Sequence, residues 1–143
     1  MSEAKTGAAA KKLVHIERIP VRWGDMDAMG HVNNTVYFRF MEQTRISWFE
    51  KLLPRGEAWG TTGIVIANAS CNFKKAINYP ATVEVKMYAG AAGGSSLPTT
   101  YELTVENQIH ADGAATVVFI DMEKQKAVRI PENLRNLISK GIQ

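Results

Sequence analysis

The sequence predicts an α+β domain in which a curved antiparallel sheet wraps around one long, largely apolar helix. Two observations carry this. Residues 34–53 place apolar side chains on most sides of a helical wheel, and residues 62–122 form a run of strand-like segments with no helix between them. Strands that follow one another through short turns pair antiparallel, and a helix apolar around most of its circumference needs covering on more than one side. A chain of 143 residues suits one domain. We expect that domain to span 13–143, with Met1–Lys12, rich in Ala and Lys, as a disordered tail.

Leu13–Arg22 reads as the first strand, and Pro20 within it marks an edge or a bulge. Trp23–Asn33 is rich in Gly, Asp and Asn and reads as a loop. The helix begins at Asn34, with Val36, Tyr37, Phe40, Met41, Trp48 and Leu52 on its broad apolar face; Pro54 and Gly56 end it. Glu42 is read as structural, because Arg39 and Arg45 lie at i−3 and i+3. Four strands follow: 62–76, 81–91, 99–109 and 114–122. Asn78-Tyr79-Pro80, the Gly90–Ser96 connector and Asp112-Gly113 serve as the turns between them. Pro131 opens a last helix over Glu132–Ser139.

Composition narrows the function. The formal charge of +3 is too small, and the Lys and Arg residues too scattered, for a nucleic-acid binder. A single cysteine, Cys71, excludes an internal disulfide. No apolar run is long enough for a membrane span, and no signal-peptide core follows the first residues, so the protein is expected to be cytoplasmic.

The chemistry-bearing segment is 22–34, which sets two carboxylates, a histidine and two asparagines at the mouth of an apolar core. Asp25 reads as a loop cap and Asn33 as the helix cap. Asp27 is the candidate for chemistry. His31 is open to three roles: general base, metal ligand or loop hydrogen-bonder. A metal is not expected, since Asp27 and His31 have no third ligand at a recognisable spacing and His15 and His110 fall in separate strands.

The run Gly24-Asp25-Met26-Asp27-Ala28-Met29-Gly30-His31-Val32-Asn33-Asn34, followed by Tyr37-Phe38 and Met41-Glu42, resembles the hotdog-fold thioesterases of the 4-hydroxybenzoyl-CoA type. Gly30–Asn34 also resembles the plant acyl-carrier-protein thioesterases, and Val118–Asp121 with Ile130-Pro131 is similar to the family's last strand and exit. The resemblance implies hydrolysis of an acyl-CoA thioester. Asp27 would be general base or nucleophile, the Asn34 backbone N–H would polarise the carbonyl, and His31 would lie in the site. It implies coenzyme A contacts at Gly94, Ser95 and Ser96, with glycines where some relatives carry arginines; Lys74 and Lys75 are candidates to restore that charge, or else are merely solvated. Coenzyme A enters as part of the substrate, with no separate cofactor, and the assembly is expected to be a homodimer or homotetramer. Pro98 departs from the pattern at a strand start. The rival readings are a hotdog hydratase or dehydratase, whose motif places Asn-Pro between Asp and His where this chain has Ala28-Met29-Gly30, and a non-catalytic thioester-binding protein.

Overall fold

The computed structural model describes residues 11–53 and 59–142. Most of the expected tail, and the helix stop at Pro54 and Gly56, lie outside the described residues. Lys12 already belongs to the first strand. The strands are β1 (Lys12–Pro20), β2 (Thr62–Phe73), β3 (Thr82–Ala89), β4 (Ser96–Val105), β5 (Gln108–Asp121) and β6 (Lys126–Ala127). The helices are α1 (Asn34–Leu52) and α2 (Glu132–Lys140). The strands form one antiparallel sheet in the order β1-β3-β4-β5-β2, with β6 continuing the β4 row along the end of β5.

Two expectations about connection are corrected. Asp112-Gly113 is not a hairpin turn: both residues sit inside β5, paired with Asn72 and Cys71. The β4–β5 turn falls at Glu106-Asn107, whose φ values of 50° and 68° suit a two-residue hairpin. Nor are all the strands that follow the helix neighbours in sequence order. β2 crosses to the far edge and pairs with β5, leaving β3 to pair with β1 and β4. Pro20 ends β1 on the other edge, where a missing N–H disturbs nothing. Pro98 lies within β4, opposite Thr116, and its carbonyl accepts from the Gly90 N–H.

Alternation along the central strands puts one side-chain set against the helix. Val85–Leu103–Ala111 and Met87–Tyr101–Gly113 are successive cross-strand rows, and all but Gly113 are buried. α1 crosses these rows with Tyr37, Phe40, Met41, Trp48 and Phe49 buried. Gly113 explains the close approach, because a Cβ there would sit 2.5 Å from Met41 Sδ and 2.8 Å from the Ser70 carbonyl. Next to it, Thr99 Oγ1 donates to the Ala115 carbonyl at 2.7 Å and lies 2.7 Å from the Tyr101 hydroxyl, which also receives Arg45 Nη1 at 3.3 Å. Burial raises the pKa of the Tyr101 phenol, against the pull of the Arg45 charge. Glu42 pairs with Arg39 at 2.9 Å as expected, whereas Arg45 turns inward.

β2 is different. It is a free edge, and most of its twelve residues are exposed; Val65, Ile66 and Phe73 are 44%, 38% and 42% accessible. An edge this long and this apolar is ready to pair. No helix among the described residues is long and apolar enough to cross a membrane.

Candidate active site

The loop before α1 folds back on itself as a small closed hairpin. Met26 and Val32 bridge, the Asp27 N–H donates to the His31 carbonyl at 2.9 Å, and the Gly30 N–H donates to the Asp27 carbonyl at 2.9 Å. Gly30 has φ 82°, a conformation glycine adopts without strain. Asp25 is buried beneath this hairpin and receives the Arg22 N–H at 2.8 Å and Arg22 Nη2 at 3.1 Å. Those bonds give it the structural part expected of it.

Asp27 is exposed and held from both sides. Its Oδ1 receives the Met29 N–H at 2.9 Å and its Oδ2 receives Asn33 Nδ2 at 3.2 Å. The Oδ1 of Asn33 caps α1, accepting from the Thr35 N–H at 2.9 Å. One asparagine therefore fixes the carboxylate and the helix end together. The Val36 N–H goes to the Asn33 carbonyl. The Asn34 N–H finds no acceptor among the described residues, as expected of a first-turn donor.

Asn34, His31, Val32, Tyr37, Phe73, Lys74, Lys75 and Ala76 line a hollow of ≈ 210 Å³. Four of the expected residues thus meet in one place, with Asp27 tied to the rim through Asn33 but not itself lining the hollow. His31 is oriented by a residue that sequence reasoning read only as a turn. The amide nitrogen of Asn78 donates to the Gly30 carbonyl at 2.7 Å and lies 3.0 Å from His31 Nδ1. An amide nitrogen only donates, so Nδ1 accepts and the proton of the neutral ring sits on Nε2. The contact spans 47 residues and has no local sequence signal.

The lysines are already engaged. Lys74 Nζ lies 2.8 Å from Asp112 Oδ2, and Lys75 Nζ donates to Gln108 Oε1 at 2.7 Å. Hydrogen bonds from Lys74 and then Asn72 hold the Asp112 carboxyl below its usual value. Cys71 is no nucleophile at neutral pH: burial, with the Asp112 charge added, pushes its thiol up to about 11. Among the described residues no group of three or more His, Cys, Asp or Glu side chains is placed to hold a metal ion.

Gly94, Ser95 and Ser96 are not brought to this hollow within one chain. The Ser95 carbonyl accepts from Phe119, and Ser96 pairs with Val118, whereas Lys74 and Lys75 donate to the His110 carbonyl. Nine residues of β5 separate the two places, roughly 30 Å of strand. Arg135 of α2 ties the far connector down, donating to the Gly93 and Gly94 carbonyls at 3.0 and 3.1 Å.

A second, apolar cleft of ≈ 470 Å³ went unforeseen, because its walls come from distant segments. It lies between the C-terminal half of α1 (Ile46, Phe49) and the start of β2 (Gly63, Ile64), with Trp59 and Met122 beside them. Trp59 is fixed by its Nε1 bond to the Leu53 carbonyl at 2.6 Å and an edge-on contact with Phe49 at 5.8 Å.

Comparison with known proteins agrees with this architecture. The PA2801 protein of Pseudomonas aeruginosa, itself only provisionally called a thioesterase, superposes with a TM-score of 0.82 at 36% identity, over 89% of this chain and 99% of that one. A thioesterase from Thermus thermophilus, solved with coenzyme A and zinc, superposes with a TM-score of 0.79 at 28% identity, over 90% of this chain and 94% of its own. The long-chain acyl-CoA thioesterase FadM of Escherichia coli is 27% identical over 131 residues, 88% of this chain and 98% of its own. The model of the thioesterase-like superfamily matches residues 21–138, from the end of β1 through most of α2. With the helix wrapped by the sheet and the Asp27 loop at its N-terminus, the chain belongs to the thioesterase-like superfamily and is a thioester hydrolase of hotdog fold.

Proposed function

We propose that the protein hydrolyses acyl-CoA thioesters with Asp27 as the reacting carboxylate and the Asn34 N–H as the donor to the carbonyl oxygen. The observation that carries this is the double role of Asn33, which fixes the Asp27 carboxylate and caps the helix whose first residue, Asn34, lines the hollow. As general base, Asp27 takes a proton from water while the water oxygen attacks the thioester carbon. The oxyanion forms at the helix N-terminus, where the Asn34 N–H and the His31 Nε2–H are its donors. Collapse expels the coenzyme A thiolate and leaves the free acid. A nucleophilic Asp27 would give an acyl anhydride first, hydrolysed in a second step.

The same reading includes a dimer. Antiparallel pairing of β2 with a second copy of itself about its middle brings Thr62–Ile64 of one copy beside Cys71–Phe73 of the other. Support comes from the exposed apolar edge and from the separation of the Gly94–Ser96 connector from the hollow within one chain. In the dimer, that connector of one copy lies at the same end as the hollow of the other. The match to FadM favours an aliphatic acyl group over the aryl group of the 4-hydroxybenzoyl-CoA type. On this reading one hotdog domain takes in 13–143, with Lys12 joined to it through β1.

Asp27→Asn keeps shape and removes charge, so it is expected to lower turnover by on the order of a hundredfold or more with folding intact. Asp25→Asn is the comparison: it weakens the Arg22 bonds and lowers melting temperature while changing turnover far less. Thiol release from acyl-CoA, with circular dichroism for folding, reads both. A folded Asp27→Asn protein that releases thiol at the parent rate overturns the assignment.

A further inference from the structure

The carbonyls of the Gly93–Ser96 connector are all taken. Arg135 Nη2 donates to those of Gly93 and Gly94 at 3.0 and 3.1 Å, and the Ile130 N–H donates to that of Gly94 at 2.8 Å. The Ser95 carbonyl accepts from the Phe119 N–H, and the Ser96 carbonyl from the Gly93 N–H, each at 2.8 Å. The N–H groups of Gly94 and Ser95, by contrast, have no acceptor among the described residues.

Peptide geometry gives the direction of those two donors. Both peptide bonds are trans, so each N–H points opposite to the carbonyl of the residue before it. The Gly93 and Gly94 carbonyls both face Arg135 Nη2, and the Gly94 and Ser95 N–H groups therefore both face away from α2. Gly94 is exposed, and a Cβ on it would meet nothing within 4 Å, so the chain leaves this turn uncrowded. Successive backbone N–H groups aimed to one side make an anion-binding nest. A cation hydrogen-bonded behind the two peptide groups polarises them and strengthens their N–H donors. Arg135 gains little else from this place. Its Nε is buried without a partner, and no carboxylate pairs with it among the described residues. A buried, unanswered N–H lowers stability, so packing alone gives no reason for an arginine here.

We propose that Arg135 is a positioning residue for substrate binding: it turns the Gly94 and Ser95 N–H groups outward as donors to a phosphate of coenzyme A, without touching that phosphate itself. The inference rests on the acyl-CoA reading above. It adds a residue outside the Asp27 loop that acts on affinity and not on the bond that breaks. It also locates a source of positive charge at a connector whose own residues carry none. Lys74 and Lys75 are engaged by Asp112 and Gln108, whereas α2 brings a guanidinium to the connector from behind.

The test uses the full-length protein and one acyl group carried on coenzyme A, on dephospho-coenzyme A and on pantetheine. The second carrier lacks the ribose phosphate, and the third lacks the whole nucleotide with its phosphates. Arg135→Ala is expected to raise KM for acyl-CoA about tenfold, the scale of a weakened hydrogen bond to a charged group. Turnover stays at the parent value, because the contact is made equally in ground and transition states. For acyl-pantetheine kcat/KM does not change. A rise that extends to acyl-dephospho-CoA identifies the diphosphate as the anion, and one confined to acyl-CoA identifies the ribose phosphate. Arg135→Lys offers a freely turning ammonium in place of the fixed fork, so its rise is smaller but has the same substrate pattern. Circular dichroism reads folding, and if the alanine variant does not fold the lysine variant decides. Equal impairment on acyl-CoA and acyl-pantetheine, or a lysine variant indistinguishable from the parent, overturns the proposal. Calorimetry with coenzyme A alone separates this from the reading it rests on. Binding that depends on Arg135 in a parent that releases no thiol would fell the hydrolysis reading alone, while normal thiol release with binding indifferent to Arg135 would fell the positioning role alone.

Discussion

Asn78 spends its amide nitrogen on the Gly30 carbonyl and on His31 Nδ1, and so decides what His31 presents to the hollow. Replacing it with an acceptor reverses that choice. Asn78→Asp is expected to favour a proton on Nδ1, so that Nε2 no longer donates to the carbonyl oxygen. Loss of that donor lowers kcat more than it raises KM, and Asn78→Ala, which leaves the tautomer free, lowers kcat less. Values of kcat and KM for the two variants separate positioning from simple loosening of the loop; identical values would remove Asn78 from the mechanism. The neighbouring Asn33 shows how far residue identity is legible in sequence. Its capping of α1 follows from its place before the helix, yet its bond to Asp27 six residues back depends on the closed hairpin, which no periodicity reveals.

The helix and the loop were legible because their signals are local: apolar period, cap residue, glycine at a positive φ. Strand order was not, because β2 joins β5 across separations of 38 to 59 residues and nothing in either segment names its partner. The Asp-Gly signal misled for a specific reason. At Gly113 the glycine serves proximity, not a turn, letting α1 and β2 crowd β5. Gly113→Ala is therefore expected to destabilise the fold by about 1–3 kcal/mol, the range for overpacking a filled core. Urea denaturation gives the value, and the double variant with Met41→Ala should be less destabilised than the sum of the singles. An alanine accepted at no loss of stability would mean that the sheet and helix relax more easily than their contacts imply. The true β4–β5 turn at Glu106-Asn107 carries no glycine, which is why composition alone passed over it.

At the scale of the whole molecule, the proposed dimer makes two claims testable together. Ile66→Lys places a charge on the exposed face of β2 and is expected to shift light scattering from dimer to monomer. Turnover should fall with it although the Asp27 loop is untouched. Replacing Ser95 and Ser96 together with alanine is expected to raise KM more than it lowers kcat, through loss of contacts made equally in ground and transition states. In mixed dimers of Asp27→Asn with the double serine variant, one site recovers both intact parts if they come from different copies. The return of low-KM activity on mixing distinguishes this from a site contained in one chain. A fully active monomer would defeat the dimer outright.

The buried chain from Arg45 through Tyr101 and Thr99 to the Ala115 carbonyl bears on how the fold finds a single answer. Apolar side chains tolerate being shifted by two residues along a strand, since one valine face resembles the next. These four groups do not. A slip of β4 past α1 carries the Tyr101 hydroxyl off Arg45, and a one-turn slide of α1 does the same from the other side; either mistake leaves a buried polar group unsatisfied, at a cost of about 1–3 kcal/mol or more for the cation. The motif thus works as a proofreading device for assembly: it adds little to the depth of the native minimum and raises its near neighbours.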